Sequence, residues 1–362
     1  MVRPSFSSPP LPLPLQLPPA PLPCAGRTMA GFFSLAFAAL LAACGGDGGA
    51  GGDAAPPPAS PSPPPAAGPS DAQRALAAST TAEGAGNACA TVRPFYWEIG
   101  DASAAKASGS ANAGGGTVYT AGTNMAIASA TKWLYAAYLA ERRSGAFTAA
   151  DIQFLNFRSG YNSFAFCLPG QTVDTCLAAG NNGLVTAAEQ GKFSYGGGHM
   201  QKHASLNGLG ALGNVALADE LRTRLGSDVA LSFNQPQPAG GAATTAADYA
   251  RVLRKMLNGQ LRLGAQLGTQ AVCTNPLTCA QALSTPIPTT ESWHYSLGHW
   301  VEDDPAVGDG AFSSPGAFGF YPWIDAGKTT YGVLARQVSA GAIESVTCGR
   351  LIRKAWMTGA AQ

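Results

Sequence analysis

A serine and a lysine three residues apart, Ser129 and Lys132, are the residues of this chain whose types and spacing most clearly suggest chemistry. At the start of a helix, this spacing places both side chains on one face, a single turn apart. A lysine that is partly removed from water there can lose its charge and accept the proton of the serine hydroxyl. Ser129 is therefore a candidate nucleophile, and Lys132 is its candidate base.

The sequence around this pair predicts the helix that the geometry requires. Residues 133–140 are apolar and contain neither glycine nor proline, and two arginines and Gly145 follow, as at a helix C-terminus. The spacing alone also fits a serine at a helix N-terminus beside a surface lysine. Ser103 and Lys106 repeat it, but they lie between a strand-like segment and a Gly/Ser-rich stretch, which favours a hairpin turn with an exposed lysine.

The first 84 residues lack the pattern of a folded domain. Residues 1–44 hold a leader rich in proline and leucine and then an apolar run, 29–43, that is shorter than the roughly 20 residues of an easy membrane span. Such a run, preceded by an arginine and closed by small residues, is typical of a secretory signal peptide. Residues 45–84 are rich in glycine, alanine and proline and predict a disordered linker. The remainder, 85–362, is long enough for one domain with a substantial core.

Cys44 closes the signal in the sequence Leu-Ala-Ala-Cys, which resembles the lipobox of bacterial lipoproteins, where the cysteine becomes the lipidated first residue. The flexible stretch after it suits a tether between a lipid anchor and a domain. An ordinary signal peptide with an incidental cysteine is the alternative. Translation from Met29 is a further one, although it would leave the signal without a positively charged start. We therefore expect a domain anchored by lipid to a bacterial membrane on its periplasmic side, or a secreted domain.

The charge balance argues against a nucleic-acid partner. Lysine and arginine number 22, and aspartate and glutamate number 21, with no basic stripe along the chain. The charged fraction of 12% fits an exported protein better than a cytosolic one. We expect a small-molecule or peptide substrate and a membrane contact through the lipid anchor.

Six cysteines lie in residues 85–362, besides Cys24 and Cys44 upstream. An even number after a secretory signal indicates disulfides in an oxidising compartment, and six cysteines allow 15 connectivities. No CxxC pair is present, so we expect no structural zinc site. Short loops favour two pairs and leave a third that would join the two ends of the domain: Cys167–Cys176, Cys273–Cys279 and Cys89–Cys348.

The predicted elements place strands at both ends of the domain and helices between them. This order predicts an α+β fold with one antiparallel sheet built from both ends of the chain and an inserted helical lobe. The predicted strands are 95–99, a segment near 118–119, 295–301, 317–324 and 330–338, and the predicted helical segments are 128–225, broken by loops, 245–258 and 343–357.

Together with the Ser129–Lys132 motif, three later segments resemble the β-lactamase and penicillin-binding-protein-like serine hydrolases, especially the class C β-lactamase and esterase branch. They are the glycine turn 237–241 with the helix after it, the strand-like 295–302, and 316–325. They follow the order of that family and span about residues 90–360. The resemblance implies a β-lactamase/transpeptidase-like fold, an antiparallel sheet flanked by helices.

The resemblance also implies roles for single residues. The family's second element is usually Tyr-x-Asn or Ser-x-Asn, and Tyr195 matches it as the proton shuttle, with Gly197 in place of the asparagine that commonly orients the substrate amide. The third element, Lys-Thr-Gly in β-lactamases, corresponds to Ser314-Pro315-Gly316. The backbone N–H groups of Ser129 and Ala317 would then form the oxyanion hole.

Several residues compete with these assignments. The third element could shift by two or three residues, which makes Ser313 an alternative to Ser314. Lys328 begins a Lys-Thr-Thr sequence, but it lies in a predicted hairpin turn and we interpret it as solvated. His199 and His203 have a metal-ligand spacing, yet the glutamate of the zinc-protease motif is missing, so we favour a packing or surface role. His294 and His299 we interpret as structural, and we expect neither a metal nor an organic cofactor.

The resemblance implies a serine hydrolase that works through an acyl-enzyme on Ser129. Because the third element lacks the lysine that helps bind a carboxylate, a small ester or amide is a better substrate than a β-lactam or a D-Ala peptide. The alternative is a catalytically silent homologue that binds peptidoglycan or another envelope ligand. The departures at Gly197 and Ser314 motivate that alternative.

Overall fold

A computed structural model describes residues 68–112 and 114–362. The predicted signal peptide, Cys24, Cys44 and the linker up to residue 67 lie outside these described residues. Strands lie towards both ends of the described part, and most of the helices lie between them. The helices are α1 Asp71–Glu83, α2 Thr131–Arg142, α3 Ala149–Leu155, α4 Val173–Leu177, α5 Gly198–Ala204, α6 Asn214–Leu225, α7 Ala246–Leu257, α8 Leu263–Gln266 and α9 Ala342–Thr358. The strands are β1 Phe95–Asp101, β2 Ala105–Ala111, β3 Met125–Ala126, β4 Phe193–Ser194, β5 Leu231–Phe233, β6 Ala242–Thr244, β7 Val272–Cys273, β8 Ala282–Ser284, β9 His294–Ser296, β10 His299–Glu302, β11 Ala311–Ser313, β12 Tyr321–Ile324 and β13 Thr330–Ala335.

The main sheet is built from both ends of the described chain. Its strands follow the order β2-β1-β13-β12-β11-β10-β9-β7, and every neighbouring pair is antiparallel. N-terminal β1 pairs with C-terminal β13 in a register that places Trp97 opposite Leu334. The predicted α+β fold, with an antiparallel sheet from both ends of the chain, is confirmed.

The chain between β2 and β7 forms the predicted helical insertion, and α2 lies at its centre. Residues 131–140 of α2 are all buried, so this helix is surrounded by other parts of the protein on every side. Trp133 stacks on His299 of β10 with ring centroids 5.6 Å apart. The same helix thus packs against the main sheet and holds the Ser129–Lys132 motif at its N-terminus.

Part of the predicted disordered linker, 45–84, is folded. Ser70 and Gln73 form a capping box at the start of α1: the Ser70 hydroxyl accepts the Gln73 N–H, and the Gln73 side chain accepts the Ser70 N–H. Ala77, Ala78 and Ala82 are buried, and α1 packs on α9. The alanine-rich composition suggested a tether, but alanine is also the best helix former, and the alanine face of α1 packs closely. The linker prediction is therefore wrong for residues 71–83.

Three strand predictions also need correction. Segment 118–119 is loop, and the Gly/Ser-rich 105–111 is instead the edge strand β2. The predicted strand 295–301 is a hairpin, β9 and β10, because the chain reverses at Leu297 and Gly298 with φ of 41° and 83°. Of 317–324, only β12 is strand.

All three predicted disulfides are formed in the described chain. Cys89–Cys348, Cys167–Cys176 and Cys273–Cys279 have Cα–Cα distances of 4.7, 5.1 and 6.2 Å. They indicate an oxidising, extracellular-type compartment. Within residues 68–112 and 114–362, no helix has both the length and the apolar character that a membrane crossing requires.

Candidate active site

Ser129 lies in a short 3-10 turn, Ala128–Ala130, between β3 and α2. Strand β3 is fixed by its pairing with β6, in which Met125 lies opposite Thr244. Ala128 has a φ of 44°, a left-handed conformation that a residue with a β-carbon adopts at a cost. This turn leaves the Ser129 side chain half-buried at the end of an otherwise buried helix.

Lys132 lies one turn further on, and its amine reaches the serine as the spacing predicts. Its Nζ is 2.9 Å from the Ser129 Oγ and 2.6 Å from the Ala239 carbonyl oxygen. The residue is only 4% exposed, and burial lowers the pKa of its amine from 10.5 to about 7. A substantial fraction of this amine is therefore neutral near pH 7, with a lone pair that can accept the Ser129 proton.

Ala239 is a partner that the sequence analysis missed. The glycine turn 237–241 was recognised, but nothing in the residue types indicated that one of its carbonyl groups faces a lysine. A β-carbon at Gly241 would lie 2.1 Å from the Gln235 carbonyl oxygen, so the turn requires glycine there. The tight turn fixes the acceptor that holds Lys132.

Tyr195 follows β4 and lies beside the same amine. The Lys132 Nζ is 4.9 Å from the centroid of the Tyr195 ring. Burial raises the pKa of the phenol to about 12, while the Ser129 and Trp300 side chains lower it; neither of these two contacts has the geometry of a full hydrogen bond. Trp300 stacks on the ring with centroids 5.3 Å apart. Tyr195 therefore holds its proton at neutral pH, and the structure brings it together with Ser129 and Lys132.

The third predicted element runs alongside the serine. The Ser314 hydroxyl donates a hydrogen bond of 3.0 Å to the Ser129 carbonyl oxygen. A β-carbon at Gly316 would lie 2.2 Å from the Ile127 carbonyl oxygen, so this close approach requires glycine. Ser313 belongs to β11, where it pairs with Trp300 and Trp323. Ser314 is thus the residue that contacts Ser129.

Two backbone amides near this contact are available for an anion. We find no hydrogen bond from the N–H of Ser129 or of Ala317 to another described residue. Ala317 is exposed, and its carbonyl oxygen accepts the Gly341 N–H at 2.9 Å, which fixes the orientation of the turn. Free N–H groups of this kind are suitable donors to an oxyanion.

Several solved structures match this architecture at low sequence identity. A putative β-lactamase from Bacteroides dorei is 19% identical with a TM-score of 0.50, and the match covers 72% of this chain and 93% of that protein. The unliganded simvastatin synthase LovD from Aspergillus terreus is 12% identical with a TM-score of 0.52, over 79% and 97% of the two chains. EstCE1, a hydrolase with promiscuous acyltransferase activity, is 12% identical with a TM-score of 0.54, over 79% and 99%. The chain has the β-lactamase and penicillin-binding-protein-like fold. No protein-family model and no curated protein sequence matches it.

The competing lysines lie elsewhere in this β-lactamase-like fold. Lys106 pairs with Asp101 at 3.0 Å, next to the hairpin turn that contains Ser103. Lys328 lies in the hairpin between β12 and β13, with its amine 5.5 Å from the centroid of the Phe312 ring. Neither lysine contacts Ser129.

The ring nitrogens of His199 and His203 are bonded to other residues within the domain. His199 bonds the Ser159 hydroxyl at 2.7 Å and the Ser194 carbonyl oxygen at 2.9 Å, and burial lowers its pKa to about 4. His203 lies 2.9 Å from the Asp151 carboxylate and 3.0 Å from the Tyr135 hydroxyl.

The two remaining histidines are in strands, as the structural interpretation expects. His294 lies 2.8 Å from the Asp303 carboxylate, and His299 accepts the Gly268 N–H at 3.1 Å. The last predicted site residue, Cys44, lies outside the described residues.

Proposed function

We propose that this protein is a serine hydrolase that forms an acyl-enzyme on Ser129 and acts on small esters or amides. One observation carries the proposal: the Ser129 hydroxyl is hydrogen-bonded to a buried lysine amine whose pKa is about 7 and whose other partner is a carbonyl oxygen. A buried amine that keeps its positive charge would need an acidic partner. An amine that acts as a base needs a free lone pair instead.

In the proposed mechanism, the Ser129 oxygen attacks the substrate carbonyl carbon while its proton passes to the Lys132 nitrogen. The Ser129 and Ala317 N–H groups stabilise the negative oxygen of the tetrahedral intermediate. Tyr195 gives its phenolic proton to the leaving oxygen or nitrogen and receives the Lys132 proton in return. Water then attacks the acyl-enzyme, with the same groups acting in reverse, and releases the acid.

The residues around the nucleophile favour an uncharged substrate. Ser314 stands where β-lactamases have a lysine, and its hydroxyl is bonded to the Ser129 carbonyl oxygen. A substrate carboxylate would therefore lack the cation that binds it in a penicillin site, so we place β-lactams and D-Ala peptides behind neutral esters and amides. The solved neighbours, a putative β-lactamase, a synthase and a hydrolase with acyltransferase activity, are compatible with acyl transfer on this fold.

A silent homologue that binds an envelope ligand such as peptidoglycan is the second candidate. Gly197 in place of the expected asparagine favours it, because one side chain that usually orients the substrate is missing. The depressed pKa of Lys132 weighs against it, since a silent protein has no need to bury an amine without an acidic partner beside a serine.

For its location, we propose attachment to the bacterial envelope through a lipid on Cys44, with secretion as the alternative. The three disulfides support an oxidising compartment. Cys44→Ser should move the full chain from the detergent phase to the aqueous phase in a Triton X-114 partition. An unchanged partition would contradict the lipid anchor.

Covalent labelling tests the enzymatic proposal directly. We expect a fluorophosphonate probe to label the wild-type protein and not Ser129→Ala, while Ser110→Ala, a serine in β2 away from the site, keeps the label. Labelling by a fluorescent penicillin as well would move the substrate class towards cell-wall peptides. Absence of any label on protein that is folded by circular dichroism would refute the enzyme and favour the silent homologue.

A further inference from the structure

The space that the expected asparagine would occupy is filled from another part of the chain. A β-carbon at Gly197 would lie 2.9 Å from a ring carbon of Phe164 and 3.2 Å from the Nε2 atom of Gln237. Gly197 is two residues after Tyr195 and has an ordinary helical φ of −76°, so its backbone does not require glycine. What excludes a larger side chain there is the Gln237 carboxamide together with the Phe164 ring.

The backbone of Gln237 is held rigidly beside the lysine. Its carbonyl oxygen accepts the N–H groups of Gly240 and Gly241 at 3.1 and 2.8 Å. Its side-chain Nε2 lies 3.5 Å from the position that a β-carbon of Gly240 would occupy, so the carboxamide folds over the turn that contains Ala239. The carboxamide therefore lies between the turn after Tyr195 and the carbonyl group that holds Lys132.

This carboxamide is free to bind a ligand. We find no hydrogen bond between it and another described residue, and the Gln237 side chain is half-buried rather than fully exposed. A glutamine carboxamide offers two N–H donors and one acceptor oxygen. Polar groups at such positions are normally satisfied by water or by a ligand.

We propose that Gln237 is a substrate-binding residue that orients the acyl portion of the substrate through its carboxamide. The inference rests on the proposed serine hydrolase function. In the resembling family, the asparagine commonly both contacts the lysine and orients the substrate amide. Here one glycine turn carries both groups: the Ala239 carbonyl oxygen holds Lys132, and the Gln237 carboxamide lies against Gly197, the position of that asparagine. The substrate class is an ester or amide whose acyl group carries a further amide or carbonyl near the scissile bond.

The turn is also tied to the disulfide loop that precedes Tyr195 and to helix α5 that follows it. The Cys167 N–H donates to the Gln235 side chain at 3.4 Å, and the Gln201 side chain donates to the Pro236 carbonyl oxygen at 3.0 Å. These contacts fix the backbone from which Gln237 projects. A preorganised carboxamide loses little conformational freedom when a substrate binds.

Two matched chromogenic esters test the proposal: the 4-nitrophenyl ester of N-acetylglycine, whose acyl group carries an amide, and 4-nitrophenyl butyrate, whose acyl group is plain alkyl. We expect Gln237→Ala to lower kcat/KM roughly tenfold for the first ester, the equivalent of about one hydrogen bond, and less than about threefold for the second. Gln260→Ala, which removes an exposed carboxamide after α7, should change neither.

A second variant distinguishes substrate binding from a packing role. In Gln237→Ala/Phe164→Ala/Gly197→Asn, both groups that crowd the β-carbon of residue 197 are removed. The new amide can then enter the space that Gln237 left, and we expect it to recover part of the preference for the amide-bearing ester. Equal losses for both esters in Gln237→Ala, or no loss for either, would overturn the proposal while the hydrolase function stands. A wild-type protein that neither takes the fluorophosphonate label nor turns over either ester would refute the hydrolase function itself.

Discussion

The Lys132 amine lies 2.6 Å from the Ala239 carbonyl oxygen, in the same environment that buries it and lowers its pKa to about 7. A carbonyl oxygen accepts one N–H without requiring the amine to be charged. An acidic partner would instead hold the proton on the nitrogen and raise its pKa. The Ala239 carbonyl group thus orients the amine towards Ser129 and leaves its lone pair available.

The first prediction concerns pH. Because Lys132 must be neutral to accept the Ser129 proton, kcat/KM for an uncharged ester should rise about tenfold per pH unit below pH 7 and level off above it. The phenol of Tyr195, with a pKa of about 12, should impose no second limit below pH 10. Stopped-flow hydrolysis of 4-nitrophenyl butyrate between pH 5 and 10 measures this profile. A flat profile would show that the amine titrates outside this range.

The second prediction concerns stability. The folded-state pKa of Lys132, about 7, lies below the usual 10.5, so the unfolded chain binds more protons between these values and stability rises with pH across this window. Lys132→Met should abolish activity and remove this rise. At pH 6 it should stabilise the protein by roughly 3–5 kcal/mol, at about 1.4 kcal/mol per pKa unit. Urea unfolding at pH 6, 8 and 10 provides the measurement.

Lys328→Met is the matched control for this stability effect. Lys328 has a φ of 53° in the hairpin between β12 and β13, and methionine would keep a side chain of similar length there. We expect its unfolding free energy to follow the wild-type pH dependence. If Lys132→Met is less stable than wild type at pH 6, then burying the Lys132 amine does not lower the unfolding free energy as its lowered pKa implies.

The sequence could identify the reacting side chains because their spacing is local. Ser129 and Lys132 are one helical turn apart, and a helix brings them together without help from distant residues. Gln237 and the carbonyl group of Ala239 could not be found in this way. Both reach the site through a tight turn more than a hundred residues later, and their position depends on packing that residue types alone do not encode.

The fold shows the same division between local and distant information. Helix α7 was predicted to within a residue or two because Thr245 caps it and its apolar residues recur at helical spacing. For the hairpin of β9 and β10, the sequence predicts a single strand, since alternating apolar residues fit either arrangement. Only the positive φ at Leu297 and Gly298 separates the two strands.

The third prediction concerns the leaving group. Tyr195→Phe keeps the ring that stacks on Trp300 but removes the hydroxyl that protonates the leaving group. We therefore expect kcat to fall by roughly 100-fold for an alkyl ester or an amide, within the usual range for general acid catalysis, and far less for a 4-nitrophenyl ester, whose leaving group needs no proton. Tyr161 stacks on Phe154 and has no role in the proposed reaction, so Tyr161→Phe serves as the control. Equal losses for both leaving groups would assign Tyr195 another task.

The fourth prediction concerns the N-terminal boundary of the domain. Helix α1 packs on α9, and the Arg74 guanidinium donates to the Trp356 carbonyl oxygen at 2.9 Å. A chain that begins at residue 68 should therefore unfold several degrees above one that begins at residue 85, because the shorter chain exposes the α9 surface that Ala78 and Ala82 cover. Melting curves of the two chains, with Lys132→Met in each background as an internal reference, measure the difference. Coincident curves would mean that α1 adds nothing to the stability of the domain, whose energetic boundary would then lie at residue 84, as the sequence predicts.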